Sequence, residues 1–244
     1  MLYALALHFA VAALIVETDF LPRFERKFLG ATVGPEFDSV YFRWARGLEG
    51  SDRNARPGAL LFVGDSIMRD LDTSSIARHT LNLAIPGDTT ARVRKRLSSY
   101  QSLATAPGLI LGVGINDFDY RSVEQALRNY RDVLGLAPRD VPVLVLSVLP
   151  VDSRVRGGGA NAYAARLNAG LRELCTEHPG CRFVDAAAKL ADASGNLIAS
   201  AHDGDGLHLS RVGHDIYWSE IYRAVERSMP PARVLAPDGG ISSD

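Results

Sequence analysis

The stretch that decides the fold is 59–69, ALLFVGDSIMR. Its first five residues, Ala59 to Val63, form a bounded apolar run, the pattern of a buried strand. Pro57 and Gly58 punctuate it in front. Gly64 and Asp65 break the run and deliver Ser66, after which 67–71 suit the opening turns of a helix. Open α/β sheets place their chemistry where a strand hands over to a helix. A hydroxyl there also lies near backbone N–H groups that favour developing negative charge. Ser66 therefore reads either as a nucleophile or as the N-cap of the helix. Taken alone, the stretch leaves the two readings level.

Outward from it, strand-like and helix-like segments alternate. Further strands are predicted at 80–85, 109–113, 143–149 and 182–184, and helices at 89–103, 122–136, 161–176 and 212–227. The run at 143–149 is unbroken and apolar, as in a parallel sheet covered on both faces. Arg92, Arg94, Lys95 and Arg96 make the helix at 89–103 basic, which suits a solvated face better than a phosphate site. A flexible loop is expected at 157–159. This alternation predicts an α/β fold with a mostly parallel sheet and helices on both sides, and functional groups at the carboxyl ends of the strands.

The chain has 244 residues, 47% of them hydrophobic and 23% charged, with a net charge of −1. That is ample core material and no field for nucleic acid. Its two cysteines, Cys175 and Cys181, lack zinc-site spacing; they suit one small disulfide if the domain is exported, or two core thiols if it is cytosolic. Residues 1–16 are almost wholly apolar, broken only by His8, and short of the roughly 20 residues a span needs. No basic residue precedes them and no clear cleavage site follows. We read them as an anchor or export signal, so that the protein is membrane-anchored or exported, with an extracytoplasmic location favoured. Residues 17–56 form a connector in which Phe20, Leu21, Phe24 and Phe28 recur at helical spacing, either lying on a bilayer or packing on the domain. Membrane association would thus run through 1–28. Phe37, Tyr41, Phe42 and Trp44 are expected to dock on apolar surface. The catalytic domain is 57–229, and the polar tail 230–244 is expected to fray. The sequence carries no mark of oligomeric state.

Four loops carry unusual residue sets: Gly64-Asp65-Ser66, Pro86-Gly87-Asp88-Thr89, Gly114-Ile115-Asn116-Asp117 and Asp205-Gly206-Leu207-His208. Acyl transfer needs a nucleophile, a base, a group that orients the base, and donors for the oxyanion. Ser66 supplies the first. His208, whose ordinary pKa is about 6.5, is the natural base, and Asp205 can accept from its other nitrogen and fix the tautomer. The backbone N–H groups of Ser66 and Gly87 and the amide of Asn116 suit the oxyanion. Asp203 is the rival orienter. The patch of His202, Asp203, Asp205, His208, His214 and Asp215 also admits a divalent metal, though Asp205 and His208 are accounted for without one; His214 falls in the last helix pattern.

The four blocks, in this order, resemble the signature of the GDSL-type or SGNH hydrolases over about 59–227. The first block reads GDSI rather than GDSL. The elbow G-x-S-x-G of α/β-hydrolases is absent around Ser66. The resemblance implies a three-layer α/β/α sandwich with a flavodoxin-like sheet. It implies a catalytic Ser66, Asp205 and His208, and an oxyanion hole of Ser66, Gly87 and Asn116, with no metal and no cofactor. The expected activity is that of a serine esterase on an acetyl, short acyl or lysophospholipid ester, the partner being a small-molecule, carbohydrate or lipid ester. Alternatives are an O-acyltransferase acting on an envelope carbohydrate and an anchored binding protein without activity.

Overall fold

The computed structural model describes residues 39–229. The chain divides into two compact units, Met1–Gly50 and Ser51–Asp244. Of the first, the described part is helical and belongs to α1, Ser39–Arg53. Of the aromatic residues expected to dock, Tyr41 is buried, Phe42 and Trp44 are exposed, and Phe37 lies outside the described residues. The segments 1–16 and 17–28 and the tail 230–244 also lie outside them. Among the described residues no helix is long and apolar enough to cross a membrane.

In the second unit the apolar run becomes β1, Leu60–Gly64, buried throughout, and Ser66 opens the short α2, Ser66–Arg69. Then follow β2 (Thr80–Asn82), α3 (Thr90–Leu97), β3 (Leu109–Gly112), α4 (Val123–Leu136) and β4 (Val143–Leu146). The chain continues through α5 (Ser153–Arg156), α6 (Ala160–Glu177), β5 (Cys181–Val184), α7 (Ala187–Leu190) and α8 (Arg211–Ser228). All five strands pair in parallel, in the order β2-β1-β3-β4-β5. Leu61 lies beside Leu109, Leu109 beside Val143, and Val143 beside Cys181. The chain steps from β1 outward to β2 and returns on the other side as β3, so the switch point lies between β1 and β3, where such sheets open a crevice.

Alternation along the strands divides the core in two. Leu60, Phe62, Ile110, Leu144 and Leu146 cluster with Met68 of α2, Leu190 of α7, and Tyr217, Ile221 and Val225 of α8. Leu61, Val63, Leu109, Leu111, Val143 and Val145 are equally buried and turn to the opposite face. Helices α3, α4 and α6 pack consecutively on one another. The three layers expected from the sequence are those observed.

Several boundaries differ from the expected ones, each for a local reason. The ladder of β2 stops at Asn82, yet the Leu83 and Ile85 N–H groups still donate to the Phe62 and Gly64 carbonyls at 2.7 and 3.0 Å. The helix predicted over 89–103 ends at Leu97. The Ser98 and Ser99 hydroxyls donate back to the Lys95 and Arg96 carbonyls, and Asp52 accepts from the Gln101 and Ser102 N–H groups to start a separate turn, Ser102–Ala104. The run 143–149 leaves the ladder after Leu146 because side-chain amides take over. Asn168 bonds both backbone groups of Val148, at 2.7 and 2.9 Å, and Asn161 does the same for Val151. Helix α5, ahead of the loop at 157–159, was not expected. Cys175 of α6 and Cys181 of β5 form a disulfide.

Candidate active site

Ser66 is not the cap of its helix. Asp65 is: its carboxylate accepts from the Ile67 N–H at 3.1 Å, and Ser66 is the first residue of α2. The Asn82 amide donates to the Met68 carbonyl at 2.9 Å and ties α2 to the neighbouring strand. Across from Ser66, His208 Nε2 lies 3.1 Å from Ser66 Oγ, and His208 Nδ1 lies 2.7 Å from Asp205 Oδ2. An ionised carboxylate only accepts, so Nδ1 carries the proton and Nε2 is free to accept from the serine hydroxyl. Asp205 Oδ1 accepts from the Leu207 and His208 N–H groups, both at 2.8 Å. Arg156 adds Nη2 to Oδ2 at 2.7 Å and Nε to the Asp205 carbonyl at 2.8 Å. Partial burial works against the charge on Asp205, but these donors outweigh it and hold the carboxyl well below the ordinary range. Asp203 meets His208 only through its backbone, donating from N–H to the His208 carbonyl at 3.1 Å.

Gly87 has φ +74°, and beyond its two chain neighbours no atom lies within 4 Å of the place a Cβ would take. Its left-handed backbone thus favours glycine, and the space above it is open. Asn116 sits in the turn Ile115–Asp119 that follows β3, and its amide donates to the Asp88 carbonyl at 2.9 Å. An amide nitrogen carries two hydrogens, so one more remains to be donated. The structure thus brings Ser66, His208 and Asp205 into one hydrogen-bonded chain and fastens Asn116 to the loop of Gly87. The Ile85–Gly64 backbone bond joins that loop to the strand that carries Ser66.

A family model, the GDSL-like lipase/acylhydrolase family, matches residues 62–216. The chain belongs to that family. Its fold recurs in a lipase/acylhydrolase from Enterococcus faecalis, 20% identical over 71% of this chain and 98% of that one, with a TM-score of 0.62. A GDSL-like lipase from Bacteroides thetaiotaomicron is 18% identical over 76% and 98%, with a TM-score of 0.64. A mutant of an acetyl-xylooligosaccharide esterase from Geobacillus is 15% identical over 69% and 94%, with a TM-score of 0.57. No curated protein matches the chain.

In this family member the residues that were not read from the sequence are those behind the loops. Asp65, Asp88 and Asp117 are all buried. Asp88 pairs with Arg96, Nη2 to Oδ2 at 2.7 Å and Nε to Oδ2 at 2.8 Å. Asp117 accepts from the Thr90 N–H and hydroxyl at 2.9 and 2.7 Å. Burial pushes all three carboxyls upward, Asp65 to about 7, with Asp88 and Asp117 adding to its shift. The available signal was an acid directly after the glycine or asparagine of three successive blocks. The His/Asp-rich patch at 202–215 gathers no metal site: no group of three candidate ligands exists among the described residues. His214 lies in α8, where burial lowers its pKa.

Proposed function

We propose that this chain is a serine esterase that cleaves a carboxylic ester through an acyl-enzyme on Ser66. The observation that carries this reading is the run of contacts from Ser66 Oγ to His208 Nε2 at 3.1 Å and from His208 Nδ1 to Asp205 at 2.7 Å. The Ser66 oxygen attacks the ester carbonyl while its proton passes to His208 Nε2. Negative charge on the former carbonyl oxygen is met by the Ser66 and Gly87 N–H groups and the Asn116 amide. The tetrahedral species collapses, the alcohol leaves with the proton from His208, and the acyl group stays on Ser66. Water then adds, giving its proton to His208; the carboxylic acid departs and Ser66 recovers its hydrogen. Asp205 stays ionised and steadies the imidazolium.

Acetyl esters, short acyl esters and lysophospholipids remain the substrate classes in view. The resemblance in fold to a protein described as an acetyl-xylooligosaccharide esterase supports placing the acetyl ester first in the series. The disulfide Cys175–Cys181 supports an extracytoplasmic location, since such bonds persist in oxidising compartments. The test is hydrolysis of p-nitrophenyl esters from acetate to palmitate by the full chain, with Ser66→Ala alongside. Turnover that disappears in Ser66→Ala is expected. Turnover that survives it, or its absence at every chain length from folded protein, overturns the esterase reading.

A further inference from the structure

The turn that carries Asp205 and His208 is wound around a second histidine. His202 and Leu209 pair as an antiparallel bridge, and the Asp203 N–H donates to the His208 carbonyl, so 203–208 forms the tip of a small hairpin. The His202 side chain is 7% exposed. Its Nδ1 lies 3.0 Å from the Gly204 nitrogen and 3.2 Å from the Gly206 nitrogen, the two residues on either side of Asp205. Both glycines have positive φ, +105° and +76°, a conformation in which glycine carries no steric cost. Backbone N–H groups only donate, so Nδ1 accepts from both and the proton of the neutral ring sits on Nε2. Nε2 faces Asp152 Oδ2 at 3.3 Å. Asp152 is oriented in turn by Arg154 at 2.7 and 2.9 Å, and its own N–H donates to the Gly206 carbonyl at 2.8 Å. The other charged groups at this turn are Asp203; Arg156, on Asp205; and Asp192, 3.5 Å from Arg154.

The two histidines of this turn thus hold opposite tautomers. His208 presents Nδ1–H to a carboxylate and keeps Nε2 for the serine. His202 presents Nε2–H to a carboxylate and keeps Nδ1 for the backbone. We infer that His202 is a positioning residue for the reaction, which fixes the backbone on both sides of Asp205 and so aims its carboxylate at His208. This rests on the esterase reading for its kinetic consequence, but the alignment of Asp205 can be followed without turnover.

The test compares His202→Ala, His202→Asn and His202→Gln in the full chain. Asparagine sets its oxygen near the place of Nδ1 and keeps an acceptor for the two glycines; glutamine reaches instead to the place of Nε2. Two quantities are read. One is kcat and KM for p-nitrophenyl acetate. The other is the downfield proton resonance of His208 Nδ1–H, assigned by its loss in His208→Ala. The expected result for His202→Ala and His202→Gln is a kcat about 10- to 100-fold lower, KM within about twofold, and loss of the resonance. His202→Asn keeps the resonance and stays within about threefold of the parent kcat. Parent-like kcat and resonance in a folded His202→Ala overturn the inference. So does equal impairment of the Asn and Gln variants, which decides the matter alone if His202→Ala does not fold. If Ser66→Ala retains turnover, the esterase reading fails, while the resonance still judges the role of His202.

Discussion

Asp88 with Arg96, and Asp205 with Arg156, are ion pairs of the same length, 2.7 Å, on two of the loops that build the site. Their surroundings are opposite. The first pair is 0% and 5% exposed, the second 37% and 41%. Behind the loops of Gly87 and Asn116, charge is held in a dry interior, where a lone partner has no water to turn to. On the Asp205 turn, charge is held at the surface, where water and salt replace a lost partner. The Ser66 side is therefore kept in place by burial, the His208 side by a dense set of hydrogen bonds in partial contact with solvent. Equal distances carry unequal weight.

The largest effect is expected where the two sides meet. Ser66→Ala should lower kcat/KM by about 10⁴-fold or more with unchanged circular dichroism, since it removes the proposed nucleophile that His208 would activate. On the buried side, Arg96→Met strands Asp88 and should cost about 3–5 kcal/mol in urea unfolding. The matching change on the open side, Arg156→Met, should cost less than about 1 kcal/mol. If the two proved equal, the contrast would be lost. Asn116→Ala, which removes one expected oxyanion donor, should reduce kcat about 10²- to 10³-fold, with KM far less affected.

The buried side should also leave a trace in the pH dependence of stability. Burial raises the folded-state pKa of Asp65 from 3.8 to about 7, so the folded protein holds that proton more tightly than the unfolded chain does. The contribution of this group to stability therefore falls as pH rises through that window. Asp65→Asn keeps an acceptor for the Ile67 N–H and does not ionise. Melting temperatures measured from pH 4 to 8 should show the parent losing ground to Asp65→Asn as pH increases; parallel curves would show that Asp65 titrates as if exposed. The smallest effect is expected for Arg156→Gln, a decrease in kcat of about two- to fivefold. The difference from the parent should shrink in high salt, as for a partly exposed charge.

Much of this arrangement was legible because it is local. Short apolar runs gave the five strands, and Gly64 and Gly114 marked the ends of β1 and β3, whereas β2 stops at Asn82, well before Gly87. Ser122, a residue away from an apolar stripe, marked the start of α4, and it caps that helix with Gln125. Ends were misread where a distant side chain intervenes, as Asn161 and Asn168 do beyond β4 and Asp52 does beyond α3. The site followed the same division. Ser66, Gly87, Asn116, Asp205 and His208 stand in recognisable blocks, each tied to the end of a strand or the start of the last helix. Arg156 lies 49 residues from Asp205 in sequence, and Asp152 lies 50 from His202; nothing near either one announces the contact. His202 was noticed only as one member of a histidine- and aspartate-rich patch, because composition does not reveal which ring nitrogen faces a backbone donor.

Ser66 and His208 are separated by 142 positions along the chain. Ser66 follows β1, the earliest of the described strands and an interior one of the sheet, whereas His208 arrives just ahead of α8, the last described helix. A ribosome-bound fragment lacking that last stretch would therefore own Ser66 but not His208, its proposed base. On the proposed mechanism hydrolytic competence would switch on late, after β3, β4 and β5 have emerged, and an activity assay on nascent or truncated chains would double as a reporter of completed folding.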